Sequence, residues 1–353
     1  MTSDRTVGGP PVITGSTSDA LGVAMPAVHV VGDAPAPPRR SWPWAVGGLI
    51  GLVLVVVPLA GGMLYPAAQG QAMVTAFAPY VTEQRMDTFR ADLDRLSAAH
   101  AAIVRIDSSG RVDATRYPQI DDFVARYPAI DADMRGLIDR IDAGRTDFER
   151  LADLRPIDVI PFLPIGAGLL ILGGSVWAWR RARTGRPPLP AALVVGVVAV
   201  ALVVTPLVRG MPGDTRAATP LLDRYSTVLT AAKVRDVQGY FVVLVGAVGA
   251  VGAVDSVYRA EIATAPRQDV AAVDDLRASW QRMSSDFAGL IGTMNDNLGN
   301  YHGVRALNDR TAALGVGAFA VLPWFLVAAG ALTGIAAALG ITSDRRRERQ
   351  GKR

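Results

Sequence analysis

The chain has 353 residues, 50% of them hydrophobic, no cysteine and a formal net charge of +4, with a mean hydropathy of +0.27. That apolar excess is too high for an ordinary water-soluble globule, and the missing cysteines exclude disulfides, thiol nucleophiles, thiolate metal sites and a lipid-modified cysteine. The pI near 9.6 does not point to nucleic acid, because the positive excess sits in short clusters beside apolar runs.

In chain order, residues 1–41 are rich in Pro, Gly, Ser, Thr, Val and Ala, with Pro35, Pro37 and Pro38 near their end. This reads as a disordered tail, a spacer before the first anchor or a docking peptide. Uncharged apolar runs over 42–65, 159–179, 189–208 and 314–341, each near or above the roughly 20 residues needed to cross hydrocarbon, then define transmembrane helices bounded at 42–65, 158–179, 189–208 and 314–341. A charge at mid-bilayer costs about 2.5–3.5 kcal/mol on insertion scales, so four clean runs predict four spans. The first begins too far into the chain, and is too long, for a cleaved signal peptide, and reads as an uncleaved signal anchor. Pro58 and Pro206 are candidate kinks in the first and third spans.

Basic residues set the orientation. Arg39 and Arg40 precede the first span, Arg180, Arg181, Arg183 and Arg186 fall in or beside the loop 180–188, and Arg345 to Arg353 fill the tail 342–353. Such flanks belong in the cytoplasm and contact anionic lipid headgroups. Both termini are therefore expected inside, and the long polar regions 66–157 and 209–313 outside. Trp42, Trp44, Trp177 and Trp179 suit an interfacial aromatic belt. The predominance of arginine over lysine, with abundant alanine, points to a GC-rich bacterium, and hence to the bacterial inner membrane.

In the first polar region, Met86, Phe89, Leu93, Leu96 and Ile103 share one helix face, with Asp92, Asp94 and Arg95 on others. A helix from about Pro79 to Ile106 follows. Ser108, Ser109 and Gly110 break it, and Pro118 opens a second helical portion whose stripe from Ile120 to Leu154 runs to Pro156. The second region follows the same plan but holds an uncharged stretch, Gln238 to Val254, expected as a buried helix and not a fifth span, which would carry Arg345 to Arg353 outside.

The plan is the same because the text is. Leu54, Val55, Val56, Pro58, Leu59, Gly62 and Met63 return as Leu202, Val203, Val204, Pro206, Leu207, Gly210 and Met211. At the same offset, Ile106, Asp107, Ser108 and Arg111 meet Val254, Asp255, Ser256 and Arg259, and Ala98 and Ala102 meet Gly246 and Ala250. After a short insertion Asp121, Asp122 and Phe123 meet Asp274, Asp275 and Leu276. Asp133, Gly136, Phe148 and Leu154 then meet Asp286, Gly289, Tyr301 and Leu307. After another insertion Pro161, Ala167 and Gly168 meet Pro323, Ala329 and Gly330. The expected fold is all-α, a tandem duplication of two spans around a helical hairpin, the hairpins forming one bundle about a pseudo-twofold axis along the membrane normal. Gly246, Gly249 and Gly252 are expected to pack against the alanine face that includes Ala98 and Ala102.

Chemistry is harder to find. His100 and His302 do not occupy matched positions, and neither belongs to a ligand pair at helical spacing, so no metal or cofactor is expected. The acidic pairs Asp121 with Asp122 and Asp274 with Asp275 read first as carboxylates near helix N-termini, secondarily as partner or cation contacts. No nucleotide loop, nucleophile elbow or zincin motif appears in a suitable context, and no enzyme activity is expected. The leading expectation is a non-catalytic envelope protein contacting a membrane or envelope partner through its outer bundle, with no nucleic-acid partner. A sensor or signalling subunit is the first alternative and a small transporter or channel subunit the second.

Overall fold

The computed structural model describes residues 41–110, 116–184, 186–253, 260–312 and 318–350. The expected disordered tail, apart from Ser41, and positions Val254, Asp255, Ser256 and Arg259 lie outside these residues. All regular structure among the described residues is helical.

Four helices are long and apolar enough to cross a membrane. They are α1 (Trp42–Ala60), α6 (Phe162–Arg183), α7 (Leu189–Val208) and α13 (Ala318–Gln350), the last through its Phe319–Thr342 portion. They pack as a ring, with α1 on α6, α6 on α7, α7 on α13 and α13 on α1. Small residues let backbones touch. A Cβ on Gly168 would lie 2.6 Å from the Gly51 carbonyl oxygen, and one on Gly330 would lie 2.7 Å from that of Ala199. Each glycine also lies against the matched leucine, Leu54 or Leu202, at 2.9 Å. Close backbone approach maximises the dispersion contacts that hold helices together in lipid. Leu49, Leu52, Val53, Val197, Val200, Leu332 and Ile335 remain exposed on the ring's outer surface, which suits a hydrocarbon solvent.

Pro58 and Pro206 each sit in the last turn of their helix. There each proline lacks the N–H that would donate to the carbonyl four residues back, at Leu54 or Leu202, and both helices stop two residues later. Gly62 and Gly210 follow at φ +62° and +67°, the left-handed conformation glycine adopts without a Cβ clash.

Beyond the spans, α2 (Leu64–Phe77), α3 (Glu83–Ser108), α4 (Pro118–Ala143) and α5 (Arg145–Asp153) come from the first polar region. The second supplies α8 (Met211–Asp214), α9 (Ala218–Tyr225), α10 (Ala231–Ala253), α11 (Arg267–Asp296) and α12 (Leu298–Ala312). The long helices form another ring, α3 on α4, α4 on α10, α10 on α11 and α11 on α3. One apolar core runs through this lobe, from Val74 and Phe89 to Phe287 and Tyr301.

Thr82 opens α3 by accepting from Arg85 N at 3.2 Å, and Thr230 opens α10 by accepting from Lys233 N at 3.1 Å. Val81 and Leu229 precede these caps, with Met86 and Val234 at the fourth helical position, and all four are buried. That is the hydrophobic-staple arrangement, which fixes how the chain enters a helix.

The hairpin expectation needs refinement. α3 starts at Glu83 and not Pro79, because Thr82 caps it and Pro79 lies in the preceding turn. The apolar stripe running to Pro156 is broken at Gly144, where the Tyr225 hydroxyl comes within 3.0 Å, and Leu221 Cδ1 within 3.1 Å, of the place a Cβ would occupy. The stretch within 238–253 belongs to α10, which packs on α4 and α11 and is not among the four span-like helices of the described residues.

Candidate functional site

Six elements of the lobe and the ends of three spans enclose an apolar cavity of about 140 Å³. It opens between α2, α4, α5, α9, α11 and α12, and its wall reaches Met63 after α1, Pro161 before α6, and Phe319 and Leu322 in α13. Among the described residues its only polar lining side chains are Thr215 and Tyr225. Both are already committed. The Thr215 hydroxyl donates to Met211 O at 2.7 Å, and the Tyr225 hydroxyl to Ile141 O at 3.4 Å. A buried water needs two to four polar partners, so this wall favours hydrocarbon over water.

The lining comes in matched pairs. The offset that carries Leu54 onto Leu202 carries Gly70, Met73, Val74 and Phe77 onto Ala218, Leu221, Leu222 and Tyr225. The offset relating Asp133 to Asp286 carries Ile141, Leu151 and Leu154 onto Met294, Val304 and Leu307. The third, relating Pro161 to Pro323, carries Ile157 and Ile160 onto Phe319 and Leu322. Every residue in these pairs lines the cavity.

Charged contacts stitch the ring above it. Arg85 of α3 pairs with Asp286 of α11 at 3.0 Å. At the matched positions Lys233 of α10 pairs with Asp133 of α4, whose other oxygen accepts from the Tyr240 hydroxyl at 2.8 Å. Burial pushes the Asp133 carboxyl up, but the hydrogen bonds from Lys233 and Tyr240 outweigh it and hold the group below the usual carboxylate range. The Tyr240 phenol is pushed up to about 12, first by burial and then by its bond to Asp133.

Asp92, expected on a polar face, is fully buried. It accepts from Arg282 Nη2 at 2.6 Å and Arg95 Nη1 at 2.8 Å, so α11 supplies the charge that makes burial tolerable. Asp269, likewise buried, accepts from Arg105 Nη2 at 2.6 Å. Sequence periodicity missed both, because Arg282 for Asp92 and Arg105 for Asp269 arrive from a helix distant in the chain.

The sequence candidates fall elsewhere. Asp121 and Asp122 are exposed at the start of α4, with Asp122 paired to Arg126 at 3.4 Å. Asp275 lies 3.5 Å from Arg95. Asp274 and Asp275 are not in a first turn, since α11 already begins at Arg267, directly after Pro266. α4 and α11 are on opposite sides of the ring, which separates the two acidic pairs.

Gly246 lies against Gln119 beside α4, at 3.8 Å from a would-be Cβ, and a Cβ on Gly249 would meet nothing within 4 Å. Ala102 is buried and Ala98 exposed. The glycine and alanine faces do not form the expected joint, because α3 pairs with α11, and α10 with α4, around the ring. Gly252 belongs to the end of α10. His100 Nε2 lies 3.1 Å from Val124 O, its ring packed on Phe123 and Tyr127, while His302 is exposed. Among the described residues no three His, Asp or Glu side chains gather as metal ligands.

Set against protein-family models, curated proteins and solved structures, the chain matches none.

Proposed function

We propose that this is a non-catalytic multi-pass protein of the bacterial plasma membrane, built by tandem duplication. Both termini face the cytoplasm, and the paired helical lobe lies outside, where it works by binding an envelope or membrane component. The observation that carries the reading is the cavity itself, an apolar chamber lined by matched positions of both halves where the lobe meets the spans. A chamber without a free polar group offers binding and no general acid, base or nucleophile.

Support for the duplication comes from features recurring at the matched positions. The Thr82 and Thr230 caps, the left-handed Gly62 and Gly210, the contacts of Gly168 and Gly330, and the Arg85–Asp286 and Lys233–Asp133 pairs all recur. Support for the orientation comes from the arginine clusters beside the spans. The sensor reading gains from the cavity's place between the halves, where an occupant would bias their packing.

In-cell photocrosslinking tests the binding role. A photoreactive residue at exposed lobe positions such as Ser108 or Asn295 is expected to yield one recurrent envelope partner, whereas the same residue at Thr184 is not. Equal, diffuse labelling from all three positions would remove the proposal.

A further inference from the structure

We infer that the junctional cavity holds the terminal segment of a hydrocarbon chain belonging to a bilayer lipid. The inference rests on the membrane reading above and deepens it by naming the occupant.

Three observations converge on that chemistry. The lining offers no unsatisfied polar group, because the two polar side chains it contains are spent on backbone carbonyls. The size fits a chain end: an engineered apolar cavity of about 150 Å³ in another protein stays dry and takes a benzene-sized hydrocarbon. The wall is also continuous with surface that meets lipid. Ile160 and Pro161 line the cavity, and their chain neighbours are exposed, Val159 just before α6 and Phe162 and Leu163 at its start.

The headgroup is left unspecified by the same reading. Arg155 and Arg216 neighbour lining residues in the sequence, but so do Asp153, Asp158 and Asp214, and this pattern favours no headgroup charge. Selection therefore acts on the chain.

The experiment uses the full chain in nanodiscs of phosphatidylcholine doped with a phospholipid carrying a diazirine near its acyl terminus. After irradiation, adducts are mapped by mass spectrometry. Adducts are expected on cavity residues Met73, Leu222 and Met294 as well as on lipid-facing Leu52 and Val197. Adducts on the span residues without any in the cavity would overturn the inference and leave the membrane reading standing. Adducts on neither would sink both.

Variants Gly70→Phe and Ala218→Phe plug the space from opposite halves. Each is expected to cut cavity adducts at least tenfold while leaving those at Leu52 and Val197 unchanged, which also reports that the spans are still embedded. Undiminished cavity adducts in either plugged variant would contradict the assignment, as would their absence from the unmodified chain.

Discussion

Where α3 meets α11, Arg85 pairs with Asp286, and a fully buried Asp92 takes both Arg282 and Arg95. Where α10 meets α4, Lys233 pairs with Asp133, but Tyr240 stands at the position matched to Asp92 and donates to that same Asp133. The helix caps, the packing ring and one ionic contact are common to both faces. The buried charge belongs to one. The two faces thus share their caps and one ionic contact, while their polar inlay differs where each face satisfies its own buried groups.

The comparison breaks most sharply at Arg282. Arg282→Met leaves a buried Asp92 with Arg95 alone, and removing one partner of a buried pair costs about 3–5 kcal/mol. The lower end is expected because Arg95 remains, read by denaturant or thermal unfolding of the purified protein. No equivalent loss should accompany a change at Ala129, the matched position. Similar losses at both would mean that the faces do not differ as described.

The span ring should instead respond evenly. Gly168→Val and Gly330→Val each drive a side chain into a facing backbone carbonyl, and overpacking costs about 1–3 kcal/mol. Both variants are expected near the upper end and within about 1 kcal/mol of each other. A large inequality in unfolding midpoints would count against equivalent α1–α6 and α7–α13 contacts. Smaller again are the caps: Thr82→Ala and Thr230→Ala should each cost about 1 kcal/mol, with matched changes in hydrogen exchange at the first turns of α3 and α10.

The mildest lever is pH. Because the folded Asp133 carboxyl is held below its ordinary value of about 3.9, its stabilising contribution is complete above that value. It fades as pH falls through the lower folded one. Acid titration of stability should thus steepen below the ordinary carboxylate range, and Asp133→Asn should flatten that segment. An unchanged profile would show that the contact with Lys233 and Tyr240 carries no linkage.

Four uncharged runs made the spans legible, since charge exclusion is a local property of the text. Long lobe helices were legible through the spacing of Phe89, Leu93 and Leu96, or of Phe123, Ile130 and Leu137. The short α2 was not, because Leu64 to Phe77 mixes small and apolar residues with Gln69 and Gln71 in no helical stripe, although Gly61 and Gly62 signal that α1 must end. The break at Gly144 depends on Tyr225 arriving from another helix. The cavity was hidden for the same reason, as its wall is assembled from segments that only folding brings together.

The most direct test of the account is the side of the membrane on which the lobe lies. The chain has no cysteine, so Ser108→Cys, Asn295→Cys and Thr184→Cys each introduce one reactive thiol at a position outside the spans. With an impermeant maleimide on intact cells, the account predicts labelling at residues 108 and 295 and labelling at 184 only after permeabilisation. Labelling at 184 from outside, or protection of either lobe position, would contradict it.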